Sequence, residues 1–181
     1  IHPNGRCEAN LPMAHPISSN ISLGETHSPF YIEPEQTLAI VLDWDDYLKA
    51  DRYRDREYEF VSTQYIGPAA CINQELMQLR FKSTDLPRRE IYQKMSEVSP
   101  AEFMAYLTPL TEEYAAAMEK LFNEENISAY TQRLVKNSIK LFYAQLLLDI
   151  ENDNKYREYQ GKEPYEIPSN YFDFLHDTPL D

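Results

Sequence analysis

The hydrophobic pattern changes period partway along the chain. From Arg6 to Met13, Cys7, Ala9, Leu11 and Met13 alternate with Arg6, Glu8, Asn10 and Pro12, the period of two of a strand with one covered face. Ile17, Ser19, Ile21 and Leu23 repeat it, Phe30–Glu33 is a shorter run, and Leu38, Ile40, Leu42 and Trp44 form the last. Glu33-Pro34-Glu35-Gln36 has the composition of a turn. Short strands joined by turns predict part of an antiparallel sandwich. Asn4-Gly5 is a hairpin signal preceded by Ile1-His2-Pro3 alone, so the strands are expected to begin inside a larger sheet.

Residues 46–66 are charged and weakly periodic. They read as a connector, with an edge strand expected near Tyr58–Val61. Beyond Gly67 the period becomes 3.6. Pro68 suits a first helical position, and Ile72, Leu76 and Leu79 follow at helical spacing. Pro87 opens a second helix, to about Val98. Ser99-Pro100-Ala101-Glu102 is a capping box. Phe103, Leu107, Leu110, Tyr114 and Leu121 mark one face of the helix it starts, with a kink expected at Pro109. Ser128 caps the next helix, whose stripe is Val135, Ile139, Phe142, Leu146 and Ile150. Its helicity is expected to continue to Gln160 and end at Gly161. The short polar link between these two helices predicts an antiparallel pair. Asn170–Asp177 reads as a short helix capped by Ser169. The fold class is α+β: an N-terminal partial antiparallel β-sandwich (1–45), a connector (46–66) and a mainly α-helical region (67–181).

Composition narrows the function. The formal charge of −13 argues against nucleic acid and anionic membrane surfaces as partners, because both need Lys and Arg against phosphate. The most apolar run, Leu38–Leu42, is far shorter than the roughly 20 residues of a spanning helix. Cys7 and Cys71 form no C-x-x-C pair, and the histidines His2, His15, His27 and His176 lack metal-binding spacing. Asp43-Trp44-Asp45-Asp46 lacks the glycine and further oxygen ligands of a calcium loop. No catalytic, cofactor-binding or metal-binding residue is assigned, and no cofactor is expected.

Two features remain candidates. Cys71 stands about one turn into a helix, where thiol pKa values fall. Its neighbours Ala70 and Ile72 predict instead a packed, unreactive thiol, and Cys7 is expected on the covered face of its strand. Neither should then support thiol-disulfide exchange. Tyr156, Tyr159, Tyr165 and Tyr171 crowd the C-terminal region. They read as partner contacts or as half-buried cover over a helical core.

"NGRCEANLPMAHP" and "FYIEPEQTLAIVLDWDD" together resemble the β part that precedes the thioredoxin domain in TlpA-like, AhpC/TSA-type thioredoxin-family proteins of Bacteroidetes-type bacteria. "YIGPAACINQEL" resembles the stretch that follows it there, and "YFDFLHDTPLD" the aromatic segment leading to the thioredoxin module. Cys7 stands where an aromatic is common, and Glu35 where glycine is usual. The family's C-x-x-C has no counterpart in these residues. The resemblance implies that Gly67 and Pro68 set a helix start, that Asn73 and Glu75 hold the junction by hydrogen bonds, and that Cys71 packs. It implies a non-catalytic accessory region of a periplasmic or envelope thiol-disulfide oxidoreductase-like lipoprotein. That region would position a thioredoxin domain of the same parent chain or dock its protein clients. The alternative is a stand-alone envelope binding module that takes a peptide or glycan on a Tyr-rich acidic surface.

Overall fold

The computed structural model describes residues 5–23, 26–49, 63–83 and 86–176. The edge strand expected near Tyr58–Val61, and Asn4 of the first hairpin signal, lie outside them. Among the described residues the fold is mixed α and β, mostly helical with two small antiparallel two-stranded sheets. The chain divides into two compact units, Ile1–Phe81 and Lys82–Asp181.

In the first unit, β1 (Ile17–Leu23) pairs with β2 (Thr26–Ile32), from Ile17↔Ile32 to Leu23↔Thr26. β3 (Ala39–Leu42) pairs with β4 (Thr63–Ile66), from Ala39↔Ile66 to Leu42↔Thr63. Ile40 and Leu42 turn toward Tyr65 and Met77 and, with Phe30, Leu38 and Ala70, make a small core. Between β2 and β3, Pro34 and Glu35 form a turn closed by Gln36 N–H donating to Glu33 O at 3.3 Å. Glu35 adopts φ 63°, the left-handed region where glycine fits without steric cost. α1 (Trp44–Lys49) begins where Asp43 Oδ1 accepts from the backbone N–H groups of Asp45 and Asp46, so the acidic run is a capped helix start.

The strand expected over Arg6–Met13 does not form, and those residues have no regular structure. Their alternation rests on small or weakly apolar side chains, Cys7 and Ala9 among them. Pro12 removes a ladder donor, and Leu11 is 51% exposed. A packed sandwich is not shown.

Among the described residues, the outer edge of β2 meets side chains and not a further strand. Tyr31 stands opposite Ser18. Its N–H donates to Asn73 Oδ1 at 2.6 Å, and Asn73 Nδ2 donates to its carbonyl at 2.7 Å. Residues on one strand alternate between pointing these groups at the partner and away from it. Tyr31 therefore offers both to the far edge, and the Asn73 amide answers as one residue of a neighbouring strand would. Two residues back on that edge Pro29 has no N–H to satisfy, and its carbonyl accepts from Tyr65 Oη at 2.7 Å. Asn73 lies on α2 (Ala70–Lys82), so these bonds dock a helix on a strand edge.

The second unit is helical: α3 (Arg88–Glu97), α4 (Pro100–Glu124), α5 (Ala129–Leu148), α6 (Ile150–Tyr159) and a 3₁₀ turn at Tyr171–Leu175. After Gly67 all regular structure among the described residues is helical. The capping box at Ser99 and Glu102 and the Ser128 cap both form. α4 runs through Pro109, which is exposed, as is Ala105, whose carbonyl the proline leaves unpaired within the helix. Water can take that carbonyl, so the helix need not break. α4 ends with Asn126 at φ 54° and Ile127 N–H donating to Phe122 O, a reversal that turns the chain back. α5 then runs antiparallel to α4, since Thr108 meets Tyr143 at 3.0 Å while Glu119 meets Lys136 at 2.7 Å.

The core of this unit is Ile91, Phe103, Leu107, Leu146, Leu147, Ile150 and Tyr171. Leu146 and Ile150 of the expected stripe are in it. Val135, Ile139 and Phe142 are only partly buried, and the Arg88 guanidinium covers Phe142 at 5.5 Å. Ser169 is not a cap: Asn170 holds the cap position without a side-chain bond, and the segment winds as 3₁₀.

Replacing Asn73 with Ala removes its amide from the Tyr31 N–H and carbonyl in a buried place, at roughly 1–3 kcal/mol for each bond lost. Asn73→Asp should cost more, because it aims a carboxylate at the Tyr31 and Ala69 carbonyls that now receive the amide protons. Urea unfolding followed by circular dichroism measures both. An unchanged midpoint in either variant would contradict this role.

Candidate functional site

The residues singled out around the start of α2 share one local structure. Gly67 has φ 128°, and a Cβ there would stand 2.4 Å from the Thr37 carbonyl oxygen. Any side chain is excluded both by the conformation and by that backbone oxygen. Pro68 is exposed and stands in the turn before α2, not at its first position: the helix starts at Ala70, whose N–H donates back to Gly67 O at 3.1 Å, and its first full turn closes with Asn73 N–H donating to Ala69 O. One turn on, Asn73 is 2% exposed and makes the strand-edge bonds described above. Glu75 is half-buried and accepts from Cys71 Sγ at 3.7 Å.

Cys71 is exposed, not packed, and so is Cys7. Residues adjacent in a helix point about 100° apart, so apolar neighbours in sequence do not place a side chain on the apolar face. The Cys71 thiol is nonetheless held above its ordinary pKa. The Glu75 carboxylate is the main cause, slight burial the second, and the thiol–carboxylate hydrogen bond the third. A negative charge one turn along the helix disfavours a second one on sulfur. The thiolate, which is the nucleophile, is therefore scarce at neutral pH. The described histidines His15, His27 and His176 are exposed, and His27 Nδ1 lies 2.8 Å from Ser22 Oγ. Among the described residues no group of His, Cys, Asp and Glu could hold a metal ion.

The four tyrosines divide into two pairs. Tyr171 is 3% exposed, sits in the helical core and donates its hydroxyl to Leu147 O at 3.2 Å. Phe172 and Phe174 meet its ring edge-on. Burial, with a smaller contribution from Tyr143, pushes its phenol up to about 12. Tyr165 packs against the same core, with the Arg157 guanidinium 3.8 Å above its ring. Tyr156 and Tyr159 are 59% and 88% exposed. They lie three residues apart on α6, hence on neighbouring positions of one face.

Asn154, which the sequence pattern does not mark out, fastens this region. Its Nδ2 donates to Tyr165 O at 2.9 Å and its Oδ1 accepts from Tyr165 N–H at 2.8 Å. Arg157 Nε donates to Glu163 O at 3.1 Å. The chain reverses at Gly161, φ 72°, where Lys162 N–H donates to Arg157 O. The segment after α6 is thereby held along it. One signal was present: asparagine is a poor residue for a helix interior unless its amide is used elsewhere. Comparison with protein-family models, curated proteins and solved structures returned no match.

Glu75→Gln removes the main cause of the raised Cys71 pKa. Thiol labelling at pH 7.5 should become several-fold faster in the Glu75→Gln, Cys7→Ser background. An unchanged rate would mean that Glu75 does not control the thiol. Tyr171 gives a second test. Its phenol ionises near pH 10 when unfolded and near 12 when folded. Its contribution to stability is thus intact below pH 10 and is lost as pH rises from 10 through 12. Thermal melts across that window should fall less steeply in Tyr171→Phe than in the parent chain.

Proposed function

We propose that the chain is a non-catalytic docking module, the accessory region of an envelope thiol-disulfide oxidoreductase-like protein. It positions a thioredoxin domain of the same parent or receives that domain's protein clients. The observation that carries this reading is the presentation of Tyr156 and Tyr159. Both rings stand in water on α6, while Asn154 and Arg157 hold the following segment against that helix. Exposed tyrosines on a fixed support suit an interface, since a ring with few torsions loses little entropy on contact. The resemblance of "YIGPAACINQEL" and its flanking segments to TlpA-like proteins supports the envelope setting and a sandwich-like role for the strands. The suppressed thiolate of Cys71 supports a role without redox chemistry. A second reading is a stand-alone module that stacks a glycan or peptide on the same rings, which the 88% exposure of Tyr159 favours.

The test is calorimetric titration with a thioredoxin-fold domain, an unfolded carboxymethylated client, and panels of peptides and glycans. The docking reading expects binding to the first or second, weakened at least tenfold in Tyr156→Ala/Tyr159→Ala at an unchanged melting temperature. It also expects no insulin reduction above the dithiothreitol background. Binding only to glycans or short peptides selects the second reading. Redox turnover, or binding indifferent to both tyrosines, overturns the proposal.

A further inference from the structure

α5 differs in charge from the rest of the chain. The protein carries 30 acidic residues and a net charge of −13, yet Ala129–Leu148 contains no Asp or Glu, and its charged residues are Arg133, Lys136 and Lys140. At 1.5 Å per residue these cations span about 10 Å along one side of the helix. They border a hollow of about 540 Å³ between α4 and α5, where half-buried Ala115 and Ile139 offer apolar surface over the buried Met118 and Phe122. Glu119 of α4 lies at the same hollow, 2.7 Å from Lys136 Nζ. The Lys136 ammonium also stands 5.9 Å from the centre of the Phe122 ring.

We infer that this groove is a second docking site, separate from the tyrosines of α6, and that it takes an acidic amphipathic helix of a partner protein. The charge arrangement selects the occupant. A single carboxylate needs cations converging on a point, whereas Arg133, Lys136 and Lys140 form a line. A line of cations beside an apolar floor matches a helix with Asp or Glu at i, i+3 or i+4, and i+7 next to an apolar stripe. Glu119 now occupies the place on Lys136 that a partner carboxylate would take. It therefore competes with the partner and lowers its affinity.

The probe is a synthetic 16-residue amphipathic helix with leucines on one face and glutamates at that spacing, paired with a copy in which Gln replaces Glu. Calorimetry on the full chain should show binding of the Glu peptide, at least tenfold weaker binding of the Gln peptide, and weakening between 50 and 500 mM salt. Arg133→Gln/Lys136→Gln/Lys140→Gln should reduce binding at least tenfold. Glu119→Gln should strengthen it several-fold, a gain that impaired folding could not produce. Equal binding of the two peptides, no gain in Glu119→Gln, or binding of decanoate but of neither peptide would overturn the inference.

Discussion

Each unit depends on an asparagine side chain that imitates a piece of backbone. A carboxamide offers one acceptor and two donors on a short, planar stem. Set against an extended residue, it takes the N–H and returns a proton to the carbonyl, as a strand neighbour does. Asn73 does this for Tyr31, and Asn154 does it for Tyr165. In the first unit the bond finishes a sheet edge. Two-stranded sheets are marginal by themselves, and the far side of β2 gains a helix through the Asn73 amide. In the second, the bond lays an irregular segment along α6, which brings Tyr165, Phe172 and Tyr171 to the core.

The helical half was legible because its signals are local. Ser99 with Glu102, Ser128 and Gly161 each satisfy or reverse backbone within a few residues, so sequence spacing determines them. The strands were less legible, because a period of two says which side could be covered but not whether anything covers it. Arg6–Met13 has the period and lacks the partner. The thiols misled for a related reason. Apolar neighbours suggested burial at Cys71, yet the helix turns that side chain toward water. The raised pKa was expected from burial and arises chiefly from Glu75. Asn154 was missed because its partner is an irregular segment with no pattern of its own. Gly67, Asn73 and Glu75 do different things: Gly67 has a steric role, Asn73 a strand contact, and Glu75 an electrostatic effect on Cys71 within α2.

The surface that remains separates charge by element. α6 carries Glu151, Asp153 and Glu158 together with Lys155 and Arg157 beside its exposed rings, whereas the charged residues of α5 are all cations. Long-range electrostatics set encounter and orientation more than strength. A partner steered to α5 by charge would therefore meet a different field from one approaching the mixed charges of α6.

The two asparagine contacts also imply an order of assembly. Asn154 and Tyr165 are 11 residues apart, and Asn73 and Tyr31 are 42 apart. Closing the longer loop costs about 1 kcal/mol more in chain entropy, from the logarithmic dependence on length. Loops near ten residues also close in about 10–100 ns. The segment after α6 can settle on its helix while the strands are still searching for theirs. The strand-bearing unit must wait for a distant amide before the Tyr31 edge of β2 receives its Asn73 bonds.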